Sequence, residues 1–258
     1  MELLTDLERA QYHRQMLIAG WGEEGQQKLK DCRVFIAGAG GLGSPVSIYL
    51  AVAGIGEISI CDADTVELSN LNRQILHPVA HIGQSKVVSA AKTLHELNPS
   101  VRLLTHAAYM DQDSLESIVG QPDVVVDCLD NFHTRYLLNA YCVQRGIPLV
   151  HGAIHGMMGQ VTFLQPPETP CLRCLFPSAP PKETFPVVGA TPGIVGCIQA
   201  LEVLKHLTGV GTTLKGRLLF FDGEEMAFST FNVSRTPGCP ECGRLSEGLR
   251  RERSAERR

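Results

Sequence analysis

The sequence predicts a doubly wound α/β fold whose sheet is parallel in the N-terminal half and takes antiparallel strands in the C-terminal half. Three observations lead there. Short apolar runs alternate with helical patterns as far as residue 152, a glycine-rich turn follows the first of those runs, and strand-like alternation takes over from residue 159.

Residues 5–20, TDLERAQYHRQMLIAG, read as a first helix, with Thr5 as its N-cap candidate and apolar residues at helical spacing. RVFIA (33–37), EISICD (57–62), VRLLTH (101–106), DVVVDC (123–128) and PLVHG (148–152) read as strands. Between them lie the helical patterns SPVSIYLAVAG (44–54), QSKVVSAAKTLHELN (84–98), DQDSLESIVG (111–120) and NFHTRYLLNAYCVQRG (131–146). Strands so continuously apolar belong to a parallel sheet covered on both faces. GQVTFLQP (159–166), KGRLLFFDG (215–223) and MAFSTFNV (226–233) read as antiparallel strands with alternating faces, and TPGIVGCIQALEVLKHLTG (191–209) as the helix among them. The Pro-rich stretch LFPSAPPKETFPVVG (175–189) is a long irregular loop of a kind that is often functional.

Length allows one large domain or two small ones, and the continuous pattern favours a single domain over residues 1–243. Hydrophobic residues at 44% and charged residues at 19% are a globular balance, and a formal charge of −4 supplies no basic field for nucleic acid. From Arg244 onward six arginines face three glutamates, so residues 244–258 form a basic tail expected to be disordered, and the body before it carries −7. MELLTDLERAQYHRQ is charged from its second residue and has no leader-like apolar core. IYLAVAGIGEISI is broken by Gly54, Gly56 and Glu57, so it reads as helix, turn and strand rather than a membrane span. Nine cysteines without an export signal point to thiols and metal ligands in the cytoplasm.

GAGGLGSP (38–45) lies between a strand and a helix. Gly38, Gly40 and Gly43 fit G-x-G-x-x-G, with Gly41 between them. The glycines give a tight turn and a close approach to phosphate, and the following helix N-terminus favours anions. Asp62, about 20 residues on, stands where a carboxylate accepts hydrogen bonds from ribose hydroxyls. This pair fits an adenine nucleotide and leaves NAD and ATP both open. The next stretch, DADTVELSNLNRQILH (62–77), is polar where a nicotinamide pocket would be apolar. It gathers Asn70, Asn72, Arg73 and Gln74, and Lys86 follows at a helix start. Isolated Lys and Arg residues are usually solvated surface charges. Two cations beside a phosphate loop suit a triphosphate under attack at its α-phosphorus. The strand 123–128 delivers Asp127, Asp130 and Asn131 to its carboxyl end, where a carboxylate holds Mg²⁺ and where Asp130 or Asn131 is alternatively a helix cap.

Cys171 and Cys174, with Cys239 and Cys242, form two C-x-x-C pairs whose spacing matches a closed, structural four-sulfur Zn²⁺ site; a redox disulfide is the alternative for one pair. Cys61, Cys128 and Cys197 read as core thiols. His77 with His81 and His151 with His155 have i,i+4 spacing but lie in Pro- or Gly-broken stretches, which argues against metal pairs.

Arg14-Gln15, GAGGLGS, DADTVELSNLNRQ, GQSK, DCLDN, GAIHGMMGQV, CLRC, PGIVGCIQALEVLK and PGCPECG, in this order over residues 5–243, resemble the ubiquitin-activating-like adenylyltransferases of the MoeB, ThiF and HesA family. The resemblance implies a Rossmann-like nucleotide fold and the use of Mg-ATP. The implied partner is a small ubiquitin-fold sulfur carrier, whose C-terminal Gly-Gly carboxylate attacks the α-phosphorus and releases pyrophosphate. On that resemblance Asp62 would grip the ribose, Asn70, Arg73 and Lys86 would bind phosphates with Gln74 in the same motif, and Asp130 would hold Mg²⁺. Arg14 would reach the ATP of a neighbouring subunit, implying a homodimer, and loop 175–191 would cover the carrier tail. Loop 175–189 has no cysteine, which disfavours a covalent carrier–enzyme link. No sulfurtransferase domain follows residue 242, so the sulfur donor is expected to be a separate protein. An NAD-dependent oxidoreductase is opposed by SNLNRQ and Lys86, and a tRNA-modifying dehydratase of the same superfamily by the zinc knuckles and the acidic body. A catalytically silent scaffold is opposed by the intact set of phosphate-handling residues.

Overall fold

The computed structural model describes residues 3–181 and 186–243. Helices α1 (Asp6–Met16) and α2 (Gly22–Asp31) precede strand β1 (Arg33–Ala37). Then come α3 (Gly43–Ala53), β2 (Glu57–Cys61), α4 (Lys86–Leu97), β3 (Arg102–His106), α5 (Leu115–Val119), β4 (Val124–Asp127), α6 (Phe132–Arg145) and β5 (Leu149–His155). The chain continues through β6 (Met158–Leu164), α7 (Leu172–Leu175), α8 (Ala190–Thr208), β7 (Arg217–Asp222) and β8 (Ala227–Asn232).

All eight strands form one sheet in the order β3-β2-β1-β4-β5-β6-β7-β8. Strands β1 to β5 pair in parallel, and β6, β7 and β8 are added antiparallel, as the sequence predicts. Successive residues of β1 explain the two covered faces. Val34 and Ile36 point into a core with Leu50 of α3, Leu94 of α4 and Val203 of α8, whereas Phe35 and Ala37 point into one with Ile118 of α5 and Leu138 of α6. Burial on both sides is why these strands carry no polar alternation.

The start of α1 is set by a capping box: Thr5 N–H donates to Glu8 Oε2 at 2.7 Å, and Glu8 N–H donates to Thr5 Oγ1 at 3.2 Å. Sequence pattern misses α2, a short and mostly polar helix whose buried face is Gly25, Gln26 and Leu29, with one apolar residue among them. A second difference is β8, expected to alternate: all six of its residues are exposed, because it is the sheet edge and no helix covers either face there. The basic tail (244–258) and residues 182–185 of the Pro-rich loop lie outside the described residues. No helix among the described residues is long and apolar enough to cross a membrane.

Candidate functional site

Strand order reverses between β1 and β4, since the chain runs outward from β1 to β3 on one side and from β4 onward on the other. Open α/β sheets place ligands beyond the carboxyl ends of the strands at such a point. The glycine loop leaves β1 there. Gly38 has φ of +100°, and a Cβ on it would stand 2.7 Å from the Cys128 carbonyl oxygen; one on Gly43 would stand 2.0 Å from the Gly38 oxygen. The first needs a left-handed backbone and the second a gap too narrow for any side chain. Gly43 opens α3, whose N-terminal N–H groups face the loop.

Side chains named from the sequence gather around this loop. Ala39 N–H donates to Asp62 Oδ2 at 2.8 Å, so the carboxylate that ends β2 sits against the glycine turn. Lys86, the first residue of α4 and buried, places Nζ 2.8 Å from Asp64 Oδ2 and 3.9 Å from Asp62 Oδ1. Asn70 is buried and accepts the Glu67 N–H at 3.2 Å. Asp64, Asn70 and Lys86, with Ala63, Thr65, Glu67 and Tyr109, line a polar cleft of about 350 Å³. Positions for a Cβ on Gly40 and on Gly41 fall 3.6 Å from Gln74 Nε2 and from Arg73 Cγ, which brings both residues to the loop. Gln74 is buried and its Oε1 has no hydrogen-bond partner among the described residues. Arg73 donates through Nη1 to Ser69 O and Asn72 Oδ1, each at 2.9 Å.

The turn after β4 separates its acidic residues into different roles. Asp127 is fully buried, accepts from His151 Nδ1 at 2.7 Å and lies 3.4 Å from Arg135 Nε. Burial works to raise its pKa, but Arg135 and His151 outweigh that and hold the carboxyl below its ordinary range. It is therefore committed inside the protein, while the Asp130 side chain is exposed at the same strand end. The cap is Asn131, whose Oδ1 accepts the Thr134 N–H at 2.9 Å. Of the two capping candidates, the one next to Asp130 does the capping.

Arg14 is exposed at the end of α1 and is not brought to this cleft within the chain. Its neighbour Gln15 donates to Ala53 O at 2.8 Å, and Tyr12 Oη accepts from Asn98 at 2.8 Å. Both contacts are at the C-terminal ends of α3 and α4, about 16 Å of helix from the glycine loop.

One residue at the loop to which the sequence reading gave no role is His77. Its Nε2 lies 2.8 Å from Ala39 O and its Nδ1 2.9 Å from Ser89 Oγ, which is also 2.9 Å from His81 Nδ1. A carbonyl only accepts, so Nε2 carries the proton, Nδ1 accepts the Ser89 hydroxyl, and Ser89 accepts from His81. Burial lowers the His77 pKa, in keeping with that neutral form. Asp62 and His77 thus grip the two backbone groups of Ala39. The i,i+4 histidines, which the broken stretch argued against as a metal pair, share a serine.

The sulfurs of Cys171, Cys174, Cys239 and Cys242 lie within 4.8 Å of one another. Three of the separations are 3.9, 3.6 and 3.4 Å. A tetrahedron with Zn–S bonds of about 2.3 Å has edges of about 3.8 Å, so the cluster fits zinc. Burial opposes ionisation of Cys174, yet backbone donors led by Thr236 N–H at 3.4 Å bring its pKa down to about 7, as suits a thiolate ligand. Away from this cluster, burial pushes the thiols of Cys32 and Cys61 up to about 11. Cys197, read from sequence as core, is only half-buried on α8, because Val195 and Gly196 take the inward face of that turn.

A sequence profile of the ThiF family matches residues 12–241. The chain belongs to the ThiF family. It is 47% identical over 245 residues to the SAMP-activating enzyme E1 of Haloferax volcanii, covering 93% of this chain and 90% of that protein. It is 43% identical over 250 residues to the sulfur carrier protein adenylyltransferase of Thermus thermophilus, with 93% and 92% covered. It also matches an adenylyltransferase and sulfurtransferase MOCS3-1 of Zea mays at 42% identity, where 91% of this chain spans 52% of that longer protein. Among solved structures, E. coli MccB with ATP is similar at a TM-score of 0.84 and 25% identity, over 93% of this chain and 75% of that one. E. coli MccB with MccA-N7isoASN is similar at 0.83 and 25%, over 91% and 74%.

Proposed function

We propose that this chain, an ATP-dependent adenylyltransferase by its family and named relatives, adenylates the C-terminal Gly-Gly carboxylate of a small ubiquitin-fold sulfur carrier. The observation that carries the reading is the polar cleft lined by Asp64, Asn70 and Lys86, whose Lys86 Nζ also lies 3.9 Å from Asp62 Oδ1, the carboxylate that holds the glycine turn at the strand-order reversal. In this reading the loop amides and the α3 N-terminus receive phosphate oxygens, and Asp62 accepts ribose hydroxyls. Lys86 turns from Asp64 to the triphosphate, and Arg73 and Asn70 neutralise and orient it, with Gln74 at the loop. The carrier carboxylate oxygen attacks the α-phosphorus, the bond to the bridging oxygen breaks, and pyrophosphate leaves with its electrons; the product is an acyl-adenylate. Asp130, beside Asn131, would hold Mg²⁺, which supplies charge neutralisation on the departing pyrophosphate.

The carrier tail is accommodated where Gly156 N–H donates to Pro186 O at 2.9 Å, next to a cleft of about 230 Å³ that includes Ile154, Met158 and Phe220. Zinc is held by Cys171, Cys174, Cys239 and Cys242 in a structural role. Arg14 serves the nucleotide of a second copy in a homodimer, in keeping with its distance from its own cleft. A cytoplasmic location, a separate sulfur donor and a product used for molybdopterin or thiamine-type sulfur transfer complete the reading.

The test is exchange of labelled pyrophosphate into ATP by the purified protein with Mg-ATP and a Gly-Gly-ending carrier. Exchange dependent on the carrier supports adenylation. Indifference to ATP together with tight NAD binding would remove it. No thiol-sensitive carrier adduct is expected on denaturing gels, since residues 175–191 contain no cysteine.

A further inference from the structure

We infer that Asp127, Arg135 and His151 are positioning residues for Asp130, fixing the turn between β4 and α6 so that its one exposed carboxylate is presented to the metal–nucleotide. The inference rests on the reading of Asp130 as the magnesium ligand.

The turn is held at every residue except the one that would do the chemistry. Leu129 N–H donates to Asp127 Oδ1 at 3.0 Å, and Leu129 O accepts from Arg135 Nη2. Both backbone groups of the residue before Asp130 are therefore gripped by buried charged side chains. Arg135 Nη2 also donates to Gly152 O at 3.0 Å, which fastens the turn to β5. His151 Nδ1 donates to the second Asp127 oxygen, and its ring lies 5.8 Å from that of Phe176. On the near side, the Cys128 carbonyl rests against Gly38 at a spacing that admits no Cβ, so the turn is seated on the phosphate loop. On the far side, Asn131 caps α6. Between these fixed points only the Asp130 side chain faces solvent in the turn's centre.

Holding a turn does not require charge. Sinking a carboxylate and a guanidinium costs desolvation that apolar packing would avoid, and a buried ion pair is a weak source of net stability. What the trio supplies instead is direction: Asp127 and Arg135 form hydrogen bonds of fixed geometry to one residue, much as groups behind a metal ligand orient it.

The experiment measures Mn²⁺ binding by electron paramagnetic resonance to the zinc-loaded protein with α,β-methylene-ATP, comparing wild type, Asp130→Ala, Arg135→Lys and His151→Phe. Arg135→Lys keeps a cation near Asp127 but loses the fork that reaches Leu129 O and Gly152 O. It is expected to weaken Mn²⁺ binding about tenfold, while metal-free nucleotide affinity stays within about twofold and activity returns at excess Mn²⁺. His151→Phe, aromatic beside Phe176, is expected to shift Mn²⁺ affinity in the same direction by less, and it carries the test if Arg135→Lys does not fold. Folded variants that bind Mn²⁺ as wild type does would overturn the inference and leave the proposed activity standing, and so would an equal loss of metal-free nucleotide. A wild-type protein that forms no Mn²⁺–nucleotide complex would overturn the magnesium reading, and the positioning role with it.

Discussion

The two halves of the sheet solve the same problem in different ways. Beyond the exposed Arg33, strands β1, β4 and the start of β5 are buried, shielded by α3, α4 and α8 on one face and by α5 and α6 on the other. Strand β8, at the opposite end, has no buried residue, and the last described segment meets the rest of the chain at four converging cysteine sulfurs packed with Val143 of α6. The lesson is that a core buried on both faces can support glycine-rich, polar loops at its rim. The nucleotide cradle is built there, while the antiparallel half ends in an uncovered edge strand and in four converging sulfurs that could take a metal cross-link.

The sharpest way to break this comparison is through the cradle. Asp130→Ala is expected to lower pyrophosphate exchange by roughly 10²–10³-fold or more, with Lys86→Ala also strongly reduced, because each removes fixed charge aimed at a reacting phosphate. Urea unfolding should show Asp130→Ala within about 0.5 kcal/mol of wild type, as befits an exposed side chain. An exchange rate equal to wild type in Asp130→Ala would sink the magnesium role.

Next in size is the cross-link. Metal analysis should find about one zinc per chain, lost in Cys239→Ser. The paired sulfurs are 68 residues apart, and opening such a loop releases on the order of 4 kcal/mol of chain entropy. The loss should appear as earlier proteolysis between residues 174 and 239, with β1 to β4 protected in hydrogen exchange. Uniform loss of protection would show that the halves are not separable.

Gly43→Ala tests the cradle from the other side. A Cβ 2.0 Å from the Gly38 oxygen forces the loop open, costing up to about 3 kcal/mol in urea unfolding and most of the ATP affinity. Ser229→Ala on β8 should change stability by less than about 0.5 kcal/mol.

The last test is of pH. Burial lowers the pKa of both His77 and His151, so below about pH 6.5 the unfolded chain takes up protons that the folded one refuses. Stability should therefore fall as pH drops from 7.5 to 5.5, by at most about 1.4 kcal/mol per pH unit for each proton. Asp127, held low, adds its own loss only in stronger acid, below the unfolded carboxylate value of about 3.9. Melting curves should show a shallower slope in His77→Gln; an unchanged slope would mean another group sets it.

Where the sequence was legible, local pattern and tertiary burial agreed. RVFIA, the glycines and VSIYLAVA carry strand, turn and helix signals that the sheet then uses without change, and the paired C-x-x-C spacing anticipated four converging sulfurs. The misses have physical causes. Helix α2 is fastened by polar contacts such as Gln26 Nε2 to Ala53 O at 2.9 Å, and with Leu29 as its single apolar residue it carries no apolar run to mark it. Asp127 and Asp130 look alike in DCLDN, and only burial separates the one that holds the turn from the one that faces out. His77 reaches a residue 38 positions away, and no local window sees such a contact.

The pairing of sulfurs across the chain also has a topological consequence. Because Cys174 meets Cys242 and Cys171 meets Cys239, everything from the Pro-rich loop through α8, β7 and β8 lies on a single ring, and α8 of that ring presses Pro192 against Gly41. With zinc bound there, stripping it would be felt as slack in a belt whose far side bears directly on the glycine loop.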